Sequence, residues 1–71
     1  MEYTRVKSSS VYAVAYDQPS ATLGVQFING SEYHYFQVPE SLFQGLLTAS
    51  SVGTFLNARI KEAGFRYKRV K

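Results

Sequence analysis

Thr22-Leu23-Gly24-Val25-Gln26-Phe27-Ile28, followed by Asn29-Gly30 and then Glu32-Tyr33-His34-Tyr35-Phe36-Gln37-Val38, is the stretch that decides the fold. Leu23, Val25 and Phe27 alternate with Gly24 and Gln26, the two-residue period of a strand with one apolar face. Asn29-Gly30 is a hairpin signal, because both residues tolerate positive φ. Beyond it Tyr33, Tyr35 and Gln37 share one face, and His34, Phe36 and Val38 share the other. The pattern predicts two antiparallel strands, over residues 22–28 and 32–38, joined by a tight turn.

Working toward the N-terminus, residues 11–16 (Val-Tyr-Ala-Val-Ala-Tyr) are rich in β-branched and aromatic types and read as another strand. Asp17-Gln18-Pro19-Ser20 supplies the turn between them. Three strands with short connections predict an antiparallel meander. Toward the C-terminus, Pro39 suits the first position of a helix and Glu40 the positive end of its dipole. Phe43, Leu46 and Leu47 have the spacing of a face turned to the sheet. Ala49-Ser50-Ser51 breaks that helix, and Ser50 or Ser51 caps a second one, whose apolar stripe is Val52, Phe55, Leu56, Ile60 and Ala63. Gly64 reads as its C-cap, and residues 65–70 as a last strand. The order is β-β-β-α-α-β, an α+β fold with both helices on one face of the sheet, and the 71 residues are read as one domain.

Composition bounds the chemistry. Of 71 residues 45% are hydrophobic and 18% charged, ordinary globular usage that argues against a disordered chain. A chain this short buries only about 60% of its unfolded surface, so its core is modest. With no cysteine there is no disulfide framework, thiolate metal site or cysteine nucleophile. No apolar run approaches the ~18 residues of a membrane span, and the first seven residues lack a hydrophobic signal segment. A cytoplasmic protein with no membrane partner is expected.

The formal net charge of +3 conceals an asymmetry. Residues 1–58 carry Arg5 and Lys7 against Glu2, Asp17, Glu32 and Glu40, whereas residues 59–71 carry Arg59, Lys61, Arg66, Lys68, Arg69 and Lys71 against Glu62 alone. Such a basic cluster attracts polyanions, phosphates above all. A solvated tail that protects an edge strand would read the same way.

The order of these landmarks resembles the KTSC domain, found at the C-terminus of some lysyl-tRNA synthetases and as small stand-alone proteins. The matching pieces are Ser9-Ser10-Val11 with Tyr16-Asp17, Leu23-x-Val25-x-Phe27 with Gly30, and Tyr33-x-Tyr35 with Val38-Pro39. Ser51-x-Gly53-x-Phe55-x-Asn57-x-x-Ile60 and the ending Phe65-x-Tyr67-x-Arg69 follow. Ala15 stands where the family often has glycine, and Phe65 where a tyrosine is common. The resemblance implies a non-enzymatic binding module, with RNA the ligand its synthetase context suggests.

Candidate chemistry is sparse. His34 is the single histidine, and with Glu32 at i, i+2 it gives two ligands and no third, so neither catalytic nor metal-binding residues are expected, and no cofactor. Tyr33 and Tyr35 project from one sheet face, as base-stacking platforms do, although so small a domain needs at least one of them in its core. Ser51, Gly53 and Thr54 place hydroxyls and free N–H groups at a helix start, an anion site in outline, with Asn57 and Arg59 within two turns and Arg66 to Arg69 expected to approach from the last strand. The same serine read as a plain N-cap needs no ligand.

The leading expectation is an RNA or single-stranded nucleic-acid binder. Arg59, Lys61, Arg66, Lys68 and Arg69 would contact phosphates, and one or more of Tyr33, Tyr35 and Tyr67 would stack on bases. A second expectation is an oligomeric binder of a phosphorylated nucleotide signal, of bacterial or phage type, with its site at the second helix. A protein–protein adaptor is the third.

Overall fold

The computed structural model describes residues 1–71. Five antiparallel strands lie in chain order across one sheet: β1 (Thr4–Arg5), β2 (Val11–Asp17), β3 (Thr22–Phe27), β4 (Glu32–Tyr35) and β5 (Tyr67–Arg69). Helix α1 (Glu40–Thr48) and helix α2 (Val52–Phe55) follow β4, and α2 widens without a break into π-helical turns over Leu56–Lys61. The α+β meander with its helices between the last two strands is therefore present. The short β1, which pairs Thr4 with Val14 and Arg5 with Ala13, adds an edge strand to the order expected from the sequence.

A bulge makes the core of β2. Val11 pairs with Phe27 and Ala13 with Gln26, so Tyr12 is the extra residue. Strict alternation from Val14 would have put Val11 on the outer face. The extra residue resets the pleat, and Val11 and Val14 both point to the helices. They join Leu23, Val25 and Tyr35 from the sheet and Leu46, Val52, Leu56 and Ile60 from the helices in one buried cluster.

The β3–β4 hairpin differs from a two-residue Asn-Gly turn. Gly30 N–H donates to the Phe27 carbonyl at 3.0 Å and Phe27 N–H to the Ser31 carbonyl at 2.8 Å, so Ile28-Asn29-Gly30 forms a three-residue loop. Gly30 alone takes positive φ, +95°, the left-handed position such loops reserve for glycine. β4 also ends earlier than residue 38. Gln37 adopts φ +56°, which breaks the alternation and swings Val38 into the core beside Tyr35. There Val38 N–H donates to the Ala21 carbonyl at 2.9 Å, and the Tyr16 hydroxyl donates to the Val38 carbonyl at 2.5 Å.

Pro39 is the N-cap of α1, one residue outside the expected first turn, and Glu40 opens the helix. The buried stripe of α1 is Leu42, Phe43 and Leu46, with Phe43 stacked on Tyr16 at 5.3 Å. Leu47, expected to face the sheet, is 38% exposed, because the stripe is centred one residue earlier. A Cβ on Gly45 would lie 2.8 Å from the Phe55 ring, so the glycine admits the second helix. Ser51 caps that helix, its Oγ accepting from Thr54 N–H at 3.4 Å. Glu62 N–H donates to the Asn57 carbonyl at 3.0 Å, the wider ring of a π turn. The helical stretch stops there, and Ala63, expected in the apolar stripe, is exposed in the turn beyond. Gly64 follows at φ +85°.

Candidate functional site

Tyr33 and Tyr35 share the face of the sheet that carries the helices, since they pair with Val25 and Leu23 of the core. β5 then places Tyr67 opposite Tyr35 and Arg69 opposite Tyr33. The three rings meet, with centroids 6.3 Å apart for Tyr33–Tyr35, 6.0 Å for Tyr33–Tyr67 and 5.9 Å for Tyr35–Tyr67. Phe27 meets Tyr33 edge-on at 5.8 Å. Exposure rises toward the sheet edge: Tyr35 is a core residue at 4%, Tyr33 is half-buried, and Tyr67 is 64% exposed. Burial raises the Tyr35 hydroxyl pKa above its ordinary value, and the neighbouring Tyr33 and Tyr67 add to the shift. Of the three candidate stacking residues, Tyr35 is thus the one taken into the core beneath the helices, as expected for at least one of them.

These rings form one wall of a groove of about 420 Å³, completed by Phe27, Asn29, Ser31 and Lys61. Lys61 comes from the end of the π-helical turns, with its ammonium 5.0 Å from the Phe27 ring centre. The groove is therefore aromatic on its floor and cationic on its rim. Phe27, Asn29 and Ser31 are its members that the sequence reading did not place. The signal for Asn29 and Ser31 was a serine two residues after an asparagine in a hairpin, the pattern of an Asx turn, and that for Phe27 was its place on the apolar face with Leu23 and Val25. Ser31 N–H and Ser31 hydroxyl both donate to Asn29 Oδ1, at 3.0 and 2.7 Å.

The remaining candidate residues fall elsewhere. Ser51, Gly53, Thr54 and Asn57 line a second, hydroxyl-rich groove of about 410 Å³ whose opposite wall is Lys7 to Ser10. A Cβ on Gly53 would lie 2.9 Å from Ser10 Oγ, so that glycine serves the contact between the helix start and the loop before β2. Arg66, Lys68 and Arg69 do not line this groove. The register carries β5 to the far side of β4, and Lys7 supplies the basic side chain instead. Arg59 lies over the Phe55 ring at 5.6 Å. Lys68 pairs with His34, which alternates with the tyrosines, and so belongs to the outer face of the sheet. Arg66 contributes its carbonyl to Phe36 N–H at 2.8 Å, and the Arg69 side chain donates to the Lys71 carbonyl at 3.0 Å.

The outer face has its own polar knot. The Tyr3 hydroxyl donates to Glu32 Oε2 at 2.7 Å, Gln26 donates to Oε1 at 3.3 Å, and His34 Nε2 lies 3.7 Å from the carboxylate. The tyrosine bond does most to hold the Glu32 pKa below its ordinary value, against the opposing effect of burial. Burial, with that same bond, pushes the Tyr3 pKa upward. Gly24 makes this reach available, since a Cβ there would collide with the Tyr3 hydroxyl and lie 2.8 Å from the Met1 sulfur. A glycine inside a strand is the sequence signal for such close approach.

A protein of Stutzerimonas stutzeri is 36% identical over 70 residues, covering 99% of both chains. A lysine–tRNA ligase of Nostoc punctiforme is 38% identical over 55 residues, 78% of this chain and 10% of the ligase. The crystal structure of a KTSC domain protein from Yersinia pestis superposes with a TM-score of 0.90 at 31% identity, covering 99% of this chain and 97% of that one. The KTSC domain profile itself matches residues 7–67, and the chain belongs to the KTSC domain family.

Proposed function

We propose that this chain is a non-enzymatic module that binds single-stranded RNA at the tyrosine groove. A base stacks on Tyr67 and Tyr33, and Lys61 and Arg69 hold the flanking phosphates. The observation that carries this reading is Tyr67, a large ring left 64% exposed within an aromatic cluster beside a lysine ammonium. Stacking on such a platform tolerates any base, and the cationic rim supplies the sequence-independent attraction. The similarity to a segment of a lysine–tRNA ligase supports RNA as the polyanion. A binding role rather than catalysis is supported by His34, whose neighbour is a carboxylate already bonded to Tyr3 and Gln26.

The test is titration with a single-stranded RNA heptamer at increasing salt, followed by amide NMR. Affinity is expected to fall with a logarithmic slope of about 0.7 per phosphate contact. Tyr67→Ala should weaken binding by about 1–3 kcal/mol, and Lys61→Ala should flatten the salt slope. Lys68→Ala, on the outer face, should leave affinity within about twofold, less than the ~0.5 kcal/mol of a weak contact. Absence of binding at low salt, or equal effects of Lys61→Ala and Lys68→Ala, would overturn the reading.

A further inference from the structure

We infer that the free edge of β5 docks an extended acidic segment of another protein, which adds to the sheet as a sixth, antiparallel strand. The contact is made by the backbone of β5 rather than by the tyrosine groove, so it does not depend on RNA binding. β5 is last in the sheet order and has no strand on its far side. The Arg66 carbonyl accepts from Phe36 N–H and Val70 N–H donates to the Glu32 carbonyl, both at 2.8 Å. Antiparallel bonding alternates along a strand, so Lys68, midway between them, spends its peptide groups on His34 of β4. Tyr67 and Arg69 therefore turn their N–H and C=O groups outward, a row of donors and acceptors open to a further strand. All three residues of β5 are exposed.

The charge along this edge decides what pairs with it. Arg66, Lys68, Arg69 and Lys71 follow one another with no Asp or Glu among them. None is in an ion pair, since the one such contact in the molecule joins His34 to Glu32. Alternation sends Lys68 to the outer face and Arg69 to the helix face, so an incoming strand meets a cation on each side. A second copy of this edge brings the same cations and is repelled, as lysines on exposed edges generally ensure. Those charges attract a strand that carries carboxylates on both faces, so one pattern rejects like edges and selects an acidic one. The other edge of the sheet lacks this bias, for at β1 Glu2 stands near Arg5 and Lys7, and Arg5 lies over the Tyr12 ring at 4.0 Å. The strand that fits β5 has adjacent carboxylates opposite Lys68 and Arg69 and a β-branched residue opposite Tyr67.

The experiment titrates the full chain with the end-blocked peptide Thr-Val-Glu-Glu-Val-Glu-Thr at low salt, followed by amide NMR and hydrogen exchange. The Tyr67 and Arg69 amides are expected to exchange about tenfold more slowly in the complex, each having gained a hydrogen bond. N-methylation of the alternate peptide nitrogens that face β5 should weaken binding about tenfold, whereas methylation of the other set should leave it within about twofold. Lys68→Ala should weaken the peptide about threefold, the range of one cross-strand ion pair, while RNA affinity holds. Binding that ignores which nitrogens are methylated, or that leaves the Tyr67 and Arg69 amides unprotected, would reduce the contact to charge attraction and overturn strand addition. Protection of those amides at high protein concentration without peptide would give the edge to a second copy and overturn it equally. No binding of the peptide would overturn it whatever RNA does, and failure of RNA alone would overturn only the reading of the tyrosine groove.

Discussion

At the scale of single residues, Gly24 and Tyr3 act as a pair. The tyrosine crosses the outer face only because the strand beneath offers no side chain, and its reward is a bond to an ionised carboxylate. Tyr3→Phe removes that bond and is expected to lower stability at neutral pH by about 1 kcal/mol, a fall in melting temperature of about 4–8 °C for a domain of this size. The pH dependence has two ends. Glu32 titrates below its ordinary 4.5 in the folded protein, so its contribution is complete above that value and disappears as pH falls through the folded pKa. Tyr3 titrates above its ordinary 10.0, so its contribution is complete below 10 and is lost as pH climbs toward the folded value. The wild-type advantage over Tyr3→Phe should be flat between these limits and vanish beyond both. Gly24→Ala should displace Tyr3 and return the Glu32 pKa toward 4.5, as read by carboxyl NMR. An unshifted Glu32 in either variant would refute the pairing.

At the scale of elements, the second helix is held by Val52, Leu56 and Ile60, three residues at four-residue intervals that are all buried. Ile60→Ala should cost about 2–5 kcal/mol through lost contacts and a cavity, enough to unfold a domain with little stability in reserve. Ala63→Ser, one residue beyond the last π turn, should leave the circular-dichroism melt unchanged. The periodicity of the sequence made this helix legible through Ile60 and failed at Ala63, because a hydrophobic pattern carries no mark of where α turns widen to π turns. Alternation located β3 and β4 in the same way and missed the return of Val38 to the core, which depends on a glutamine taking positive φ, a conformation its type does not announce. β1 went unread for a related reason: two residues with exposed side chains leave no apolar period to detect. Of the groove, the tyrosines and Lys61 were visible as aromatic and basic residues. Their meeting was not, since it depends on the register that sets Tyr67 against Tyr35.

At the scale of the whole molecule, that register divides the basic C-terminal stretch. Lys61 lines the groove, Arg69 pairs with Tyr33 on the same face of the sheet, Lys68 faces the other side, and Arg59 covers Phe55. Charge clustered in sequence is therefore spread over two surfaces, and only part of it can address one ligand. The order of strands has a consequence in time. β1 to β4 each pair with the neighbour that precedes or follows them, and such local pairings close rapidly. β5 must wait for 31 intervening residues of helix and turn before it reaches β4. Refolding monitored by tyrosine fluorescence should show the Tyr67 environment forming in the slower part of the reaction, with Tyr67→Phe removing that signal and leaving the earlier one. Slow opening and closing of this one strand would then set the residence time of the base proposed to stack on Tyr67.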